Sequence, residues 1–236
     1  MGPVSGDTPT ALEREAMTAQ ESPSRRTRHS FMILTADEVR AAAHPEILAL
    51  SSDEAEWLDK HAFPTVQELE AIHSFDPEML ELRLRNYRDP KAGVLLGHQL
   101  IEQGEFRRAS YVLSAAAKTG ALYAHQLHGV ATLLEWRSNG NGTLDPIFVA
   151  YMEVARMLGD HNVDVLIRRH APKYDPARDA HWVLQQAGTL MHQRAMDGKL
   201  RGIPAAGPDP RPNEQEWRRL QAADGLDTFE VYDRRR

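Results

Sequence analysis

Two histidines one helical turn apart, in His125-x-x-His128, come closer to a reactive constellation than anything else in this sequence. On a helix they share one face, and two imidazoles so placed can begin a zinc site. A site needs a third ligand, however, and the His-Glu-x-x-His pattern of a helical metallohydrolase does not occur. His161, His170, His181 and His192 are scattered without metal-pair spacing. The expectation is therefore no metal, with His128 packed or hydrogen-bonded. Carboxylates are plentiful, but a pair becomes a general acid and base only where a shaped pocket raises one pKa. The Asn-Gly-Asn-Gly run at 139–142 lacks the lysine and the following helix register of a phosphate-binding loop. There is no Ser-His-Asp signature. The absence of cysteine excludes thiolate nucleophiles, disulfides and Cys-ligated zinc. No catalytic residue and no cofactor are expected.

Charge is the second chemical feature. Between residues 44 and 82 ten acidic side chains stand against one basic one, Lys60, although the whole chain carries only −6. A field of that sign repels nucleic-acid phosphates and steers a basic protein partner. Glu54, Glu56 and Asp59 are its candidate partner-binding residues, the alternative being that these carboxylates simply solvate helix faces. The terminal Arg234, Arg235 and Arg236 read as a solvated tail. With 42% hydrophobic residues and no stretch near the roughly 20 apolar residues that span a bilayer, no membrane span is expected. The sequence as it stands implies a cytoplasmic protein, or a periplasmic one if a signal peptide has been removed.

Elements that could position these groups are signalled locally. Residues 1–30, rich in Ser, Thr, Pro, Glu and Arg, read as a flexible leader. Capping boxes at Thr35-x-x-Glu38, Ser51-x-x-Glu54 and Thr65-x-x-Glu68 each predict a helix of about three turns. Asp76-Pro77, Asp89-Pro90, Asp145-Pro146 and Asp175-Pro176 each pair an N-cap acceptor with a proline suited to the first helical position. Gly104, Gly120 and Gly159 are the matching stops. A longer helix is predicted over 176–198, with Trp182, Ala187, Leu190, Met191 and Ala195 facing inward. The Pro-rich segment 202–212 reads as an extended wrap, Asn213 as the start of a short helix, and 228–232 as the one strand-like stretch. The domain plan is a leader (1–30), a helical domain (31–201) and a wrap with a C-terminal helix and tail (202–236).

One pattern joins these helices. Ala92-x-x-x-Leu96-Gly97 recurs as Ala124-x-x-x-His128-Gly129, 32 residues later, and Ala116-x-x-x-Gly120 recurs as Ala155-x-x-x-Gly159, 39 residues later. The seven-residue excess is assigned to a loop at 137–143. Together with Leu100, Ala109 and Leu113, the pattern over 92–129 resembles the tetratricopeptide-like helical repeats of the Sel-one-like class. That resemblance implies an all-α fold: antiparallel helical hairpins in a short solenoid, with N- and C-terminal helical extensions. It also implies a close helix crossing at Gly97, and a curved binding surface lined by first helices. On this sequence the surface comprises Val94, His98, Ile101 and Glu102, then Tyr123, Gln126, Val130 and Leu133. Of these His98, Glu102, Tyr123 and Gln126 are the candidate partner-binding residues, although several could equally be core. The functional expectation is a bacterial, non-catalytic scaffold or adaptor binding another protein. The alternatives are an inhibitor or immunity-type protein covering a basic toxin or hydrolase with its acidic face, and a helical hydrolase.

Overall fold

The computed structural model describes residues 51–140, 145–201 and 209–211, together with Gln215 and Arg219, which are helical. The leader, the box at Thr35, most of the Pro-rich wrap and the strand-like stretch at 228–232 lie outside the described residues.

Every regular element among the described residues is helical. Helices α1 (Ser52–Lys60) and α2 (Val66–Glu70) precede a 3-10 turn (Ile72–Ser74). Then follow α3 (Pro77–Tyr87), α4 (Pro90–Glu102), α5 (Phe106–Lys118), α6 (Leu122–Ser138), α7 (Asp145–Met157), α8 (Val163–His170) and α9 (Pro176–Arg201). From α3 to α8 each helix packs on the next; α4 also touches α6, and α9 lies across α7 and reaches α5. No described helix is long and apolar enough to cross a membrane.

The starts follow local chemistry. Thr65 and Glu68 complete a reciprocal capping box, and Ser51 accepts from the Glu54 amide. Asp76 and Asp89 accept from the first amides of α3 and α4, and Asp175 accepts from Ala177 in α9. Asp145 departs from this pattern: it lies within α7, where its carboxylate accepts from the Lys173 amide at 3.2 Å and from Arg137 at 3.4 Å. Helix α2 is also shorter than predicted, at five residues. The buried Gln99 amide donates to the carbonyls of Ile72 (2.5 Å) and Phe75 (2.9 Å), fixing the chain after α2 in an irregular path. Satisfying those two carbonyls from outside removes the advantage of continuing the helix.

Two hairpins, α4–α5 and α6–α7, repeat the same packing. A Cβ on Gly97 would stand 2.4 Å from Leu113 Cδ2, and one on Gly129 would stand 2.8 Å from Tyr151 Cβ, so each first helix crosses its second at a glycine. Each second helix ends in a left-handed glycine, Gly120 (φ 108°) or Gly159 (φ 111°). The following amide then reaches back to Ala116 O or Ala155 O, closing the same C-terminal motif twice. The seven-residue excess is divided differently from the prediction. Helix α6 has 17 residues against 13 in α4, so Arg137 and Ser138 are helical, and the rest lengthens the connection to α7. Nothing before Gly140 (φ 71°) stops the helix.

In α9 the buried stripe is Val183 and Ala187 with Leu190 and Met191 packed against the core, while Trp182 is 40% exposed. Ala187, Leu190 and Met191 thus face inward as predicted, and Val183 takes the inner position in place of Trp182 at the start of the helix.

Candidate functional site

The predicted curved surface is covered by the chain itself. His98, Gln126 and Tyr123 are 1%, 2% and 4% exposed, and Val94, Ile101, Val130 and Leu133 are buried with them. Only Glu102 is half-buried, held 3.2 Å from His73 and 3.5 Å from His98. What covers the α4 and α6 face is the segment 51–75. Phe63 stacks on Tyr123 with ring centroids 4.7 Å apart, the Tyr123 amide donates to His61 O, and Gln99 holds the 3-10 turn. Apolar residues at helical spacing fit a groove or a core equally well; here the segment before α3 makes them core.

Part of the acidic stretch is engaged in ion pairs within the chain. Lys91 lies 3.2 Å from Asp59 and 3.0 Å from Glu68, and Glu81 pairs with both Arg85 and Arg108. Glu54 is buried at the start of α1, whereas Glu56 and Asp59 are exposed. The charge of this stretch is therefore offset in part by bases from α3, α4 and α5.

A clasp that the sequence did not reveal closes over this junction. Arg211 is buried, with Nη2 donating to Asp160 (2.9 Å) and Asp209 (2.7 Å) and its guanidinium 4.5 Å over the Trp57 ring and 5.0 Å from Phe63. Asp160 also accepts from Gln126 at 2.5 Å and from the Asn162 amide at 2.9 Å. Burial pushes its carboxyl up, while Arg211 and the amide pull it down. His161, 2.6 Å from Arg211 O, ties the same strap to the turn before α8. Nε and Nη2 of Arg211 both have internal carboxylate acceptors, so the arrangement holds the C-terminal strap.

The open polar concavity is elsewhere, between α5, α6, α7 and α9. This cleft, of about 510 Å³, is lined by Ser114, Lys118, His125, His128, Tyr151 and Arg194, with Leu190 and Met196 among its apolar walls. The periodicity of α6 places His125 and His128 on one face, as expected. Arg194 Nη1 stands 2.6 Å from His125 Nε2 and 3.3 Å from Ala117 O. A guanidinium can only donate, so His125 Nε2 accepts and the ring is neutral with its proton on Nδ1. Burial and then the neighbouring Arg194 hold the His125 pKa down at about 3. Burial alone lowers that of His128 to about 4, beside the Tyr151 hydroxyl at 3.4 Å. Desolvation also lowers Arg194 and raises Tyr151. Neutral imidazoles could in principle ligate a metal, yet no group of three or more His, Cys, Asp or Glu side chains suited to a metal occurs among the described residues.

No family model matches the chain, and no curated protein and no solved structure matches it. What the fold defines is an all-helical protein with a donor-rich cleft beside the paired histidines.

Proposed function

We propose that this chain is a non-catalytic binding protein built from tetratricopeptide-like helical hairpins, and that it acts by holding another protein. The observation that carries the reading is the repeated hairpin, with glycine crossings at Gly97 and Gly129 and left-handed closures at Gly120 and Gly159. Hairpins that stack in this way supply a rigid surface and no reaction chemistry of their own. Since 51–75 fills the α4 and α6 face, the binding surface is assigned to the cleft under α9. The inhibitor reading draws less support, because Asp59, Glu68 and Glu81 already have basic partners and Glu54 is buried.

The test is quantitative affinity capture from the native cell with two baits, the wild type and the double variant His192→Glu, Met196→Glu. Both positions are exposed and line the cleft, so the fold should melt unchanged. Proteins recovered by the wild type should be lost with the variant. Equal recovery by the two baits removes the cleft from the reading. Recovery of nothing above an unrelated helical control overturns protein binding altogether.

A further inference from the structure

We infer that the cleft between α5, α6, α7 and α9 is an oxyanion site, taking the carboxylate or phosphate end of an organic anion against the Arg194 guanidinium. The inference shares its cleft with the reading above but does not require a protein partner. Three observations carry it.

First, Arg194 is half-buried, and its only contacts among the described residues are Ala117 O and His125 Nε2, both made by Nη1. Nε and Nη2 have no partner among those residues, and no carboxylate among them is bonded to the group. A guanidinium withdrawn from water is ordinarily paired with an anion, because its desolvation is otherwise uncompensated. The contact with Ala117 O caps the end of α5, but that oxygen also accepts from the Gly120 amide at 3.1 Å and carries only a partial charge.

Second, the described lining contains no Asp or Glu. Lys118, Arg194, His192, Gln193, Ser114 and Tyr151 all bring donors to one concavity. The surrounding chain is acidic overall at −6, so a cleft of this sign is a local feature and not a sample of the average surface.

Third, His125 is committed as an acceptor from Arg194, which aims the guanidinium while leaving two of its nitrogens for a planar, two-oxygen ligand. Leu190, Met196 and Ala117 supply an apolar wall beside the charge. That combination suits an anion carrying a short organic body.

The experiment titrates the purified full chain at pH 7.5 and constant ionic strength with inorganic phosphate and, separately, with succinate, read by calorimetry and by the ring protons of His125 and His128. Saturable binding of at least one probe is expected, and the tighter of the two says whether the ligand end is a phosphate or a carboxylate. Arg194→Gln should weaken it about tenfold or more, and Arg194→Lys should restore only part, since an ammonium cannot offer the two-nitrogen fork. Lys118→Glu lies at an exposed position and serves as the variant that keeps the fold; it should also weaken binding about tenfold by placing a like charge in the cleft. Absence of saturable binding in the wild type, or unchanged affinity in both Arg194→Gln and Lys118→Glu, overturns the site. Intact protein capture without anion binding sinks this inference alone. Anion binding without protein capture sinks only the protein-binding reading.

Discussion

Replacing Gly97 with alanine offers the sharpest test of how the hairpins are built, because one methyl group acts through two opposed effects of known size. Alanine in a helix interior is favoured over glycine by about 1 kcal/mol. Against this, the new Cβ would stand 2.4 Å from Leu113 Cδ2 and 2.6 Å from its Cγ. Carbon atoms pack comfortably at about 3.5–4.0 Å, so α4 and α5 must part, or Leu113 must move, by about 1 Å. Leu113 is fully buried and Cγ is not the free end of a flexible side chain, so the strain is of the overpacking kind, about 1–3 kcal/mol. Gly188→Ala in α9 is the control, since nothing lies within 4 Å of the Cβ it would add. Propensity is common to both variants and cancels in the comparison. Urea denaturation should therefore place Gly97→Ala about 1–3 kcal/mol below Gly188→Ala, with Gly188→Ala at or above the wild type. Gly129→Ala, against Tyr151 Cβ, should resemble Gly97→Ala. Equal stabilities for Gly97→Ala and Gly188→Ala would refute the close crossing and, with it, the shared geometry of the two hairpins.

Two further outcomes follow from buried charge. Arg211→Ala leaves Asp160 buried without its cation and should cost about 3–5 kcal/mol in urea denaturation, whereas adding Asp160→Asn should recover a good part of that loss. A cost under about 1 kcal/mol, of the size seen for exposed pairs, would show that Arg211 does not clasp the strap to α1 and α7. For pH, His61, His125 and His128 have folded pKa values lowered to about 4, 3 and 4, below the unfolded value near 6.5. The unfolded chain thus binds more protons between about pH 6.5 and 4, and stability falls as pH falls through that window, by about 2 kcal/mol per histidine between pH 7 and 5. Urea midpoints at pH 7 and pH 5 check this, and equal midpoints would mean that these rings are not held neutral in the folded protein.

Helix starts and stops were legible in the sequence because their chemistry is confined to a few residues. A carboxylate or hydroxyl reaching an amide two or three positions ahead, as at Asp76, Asp89 and Thr65, needs no other part of the chain, and neither does a glycine turning left-handed at Gly104, Gly120 or Gly159. The crossing at Gly97 was likewise expected from the repeat resemblance, and the 32-residue echo puts Gly129, the second crossing, at the equivalent position. Which face of α4 and α6 would be open was not legible. Helix α6 buries residues around most of its circumference, from Leu122 through Leu134, so periodicity could not separate a groove from a core. That choice was made by 51–75 folding over Tyr123 and being held by Gln99. The chemically pointed pairs were invisible for a related reason: Arg194 meets His125 across 69 residues, and Arg211 meets Asp160 across 51. Such meetings have no local spacing rule. They depend on where α9 and the C-terminal strap come to lie, and the need to keep each buried charge paired or hydrogen-bonded acts only once packing has removed the water.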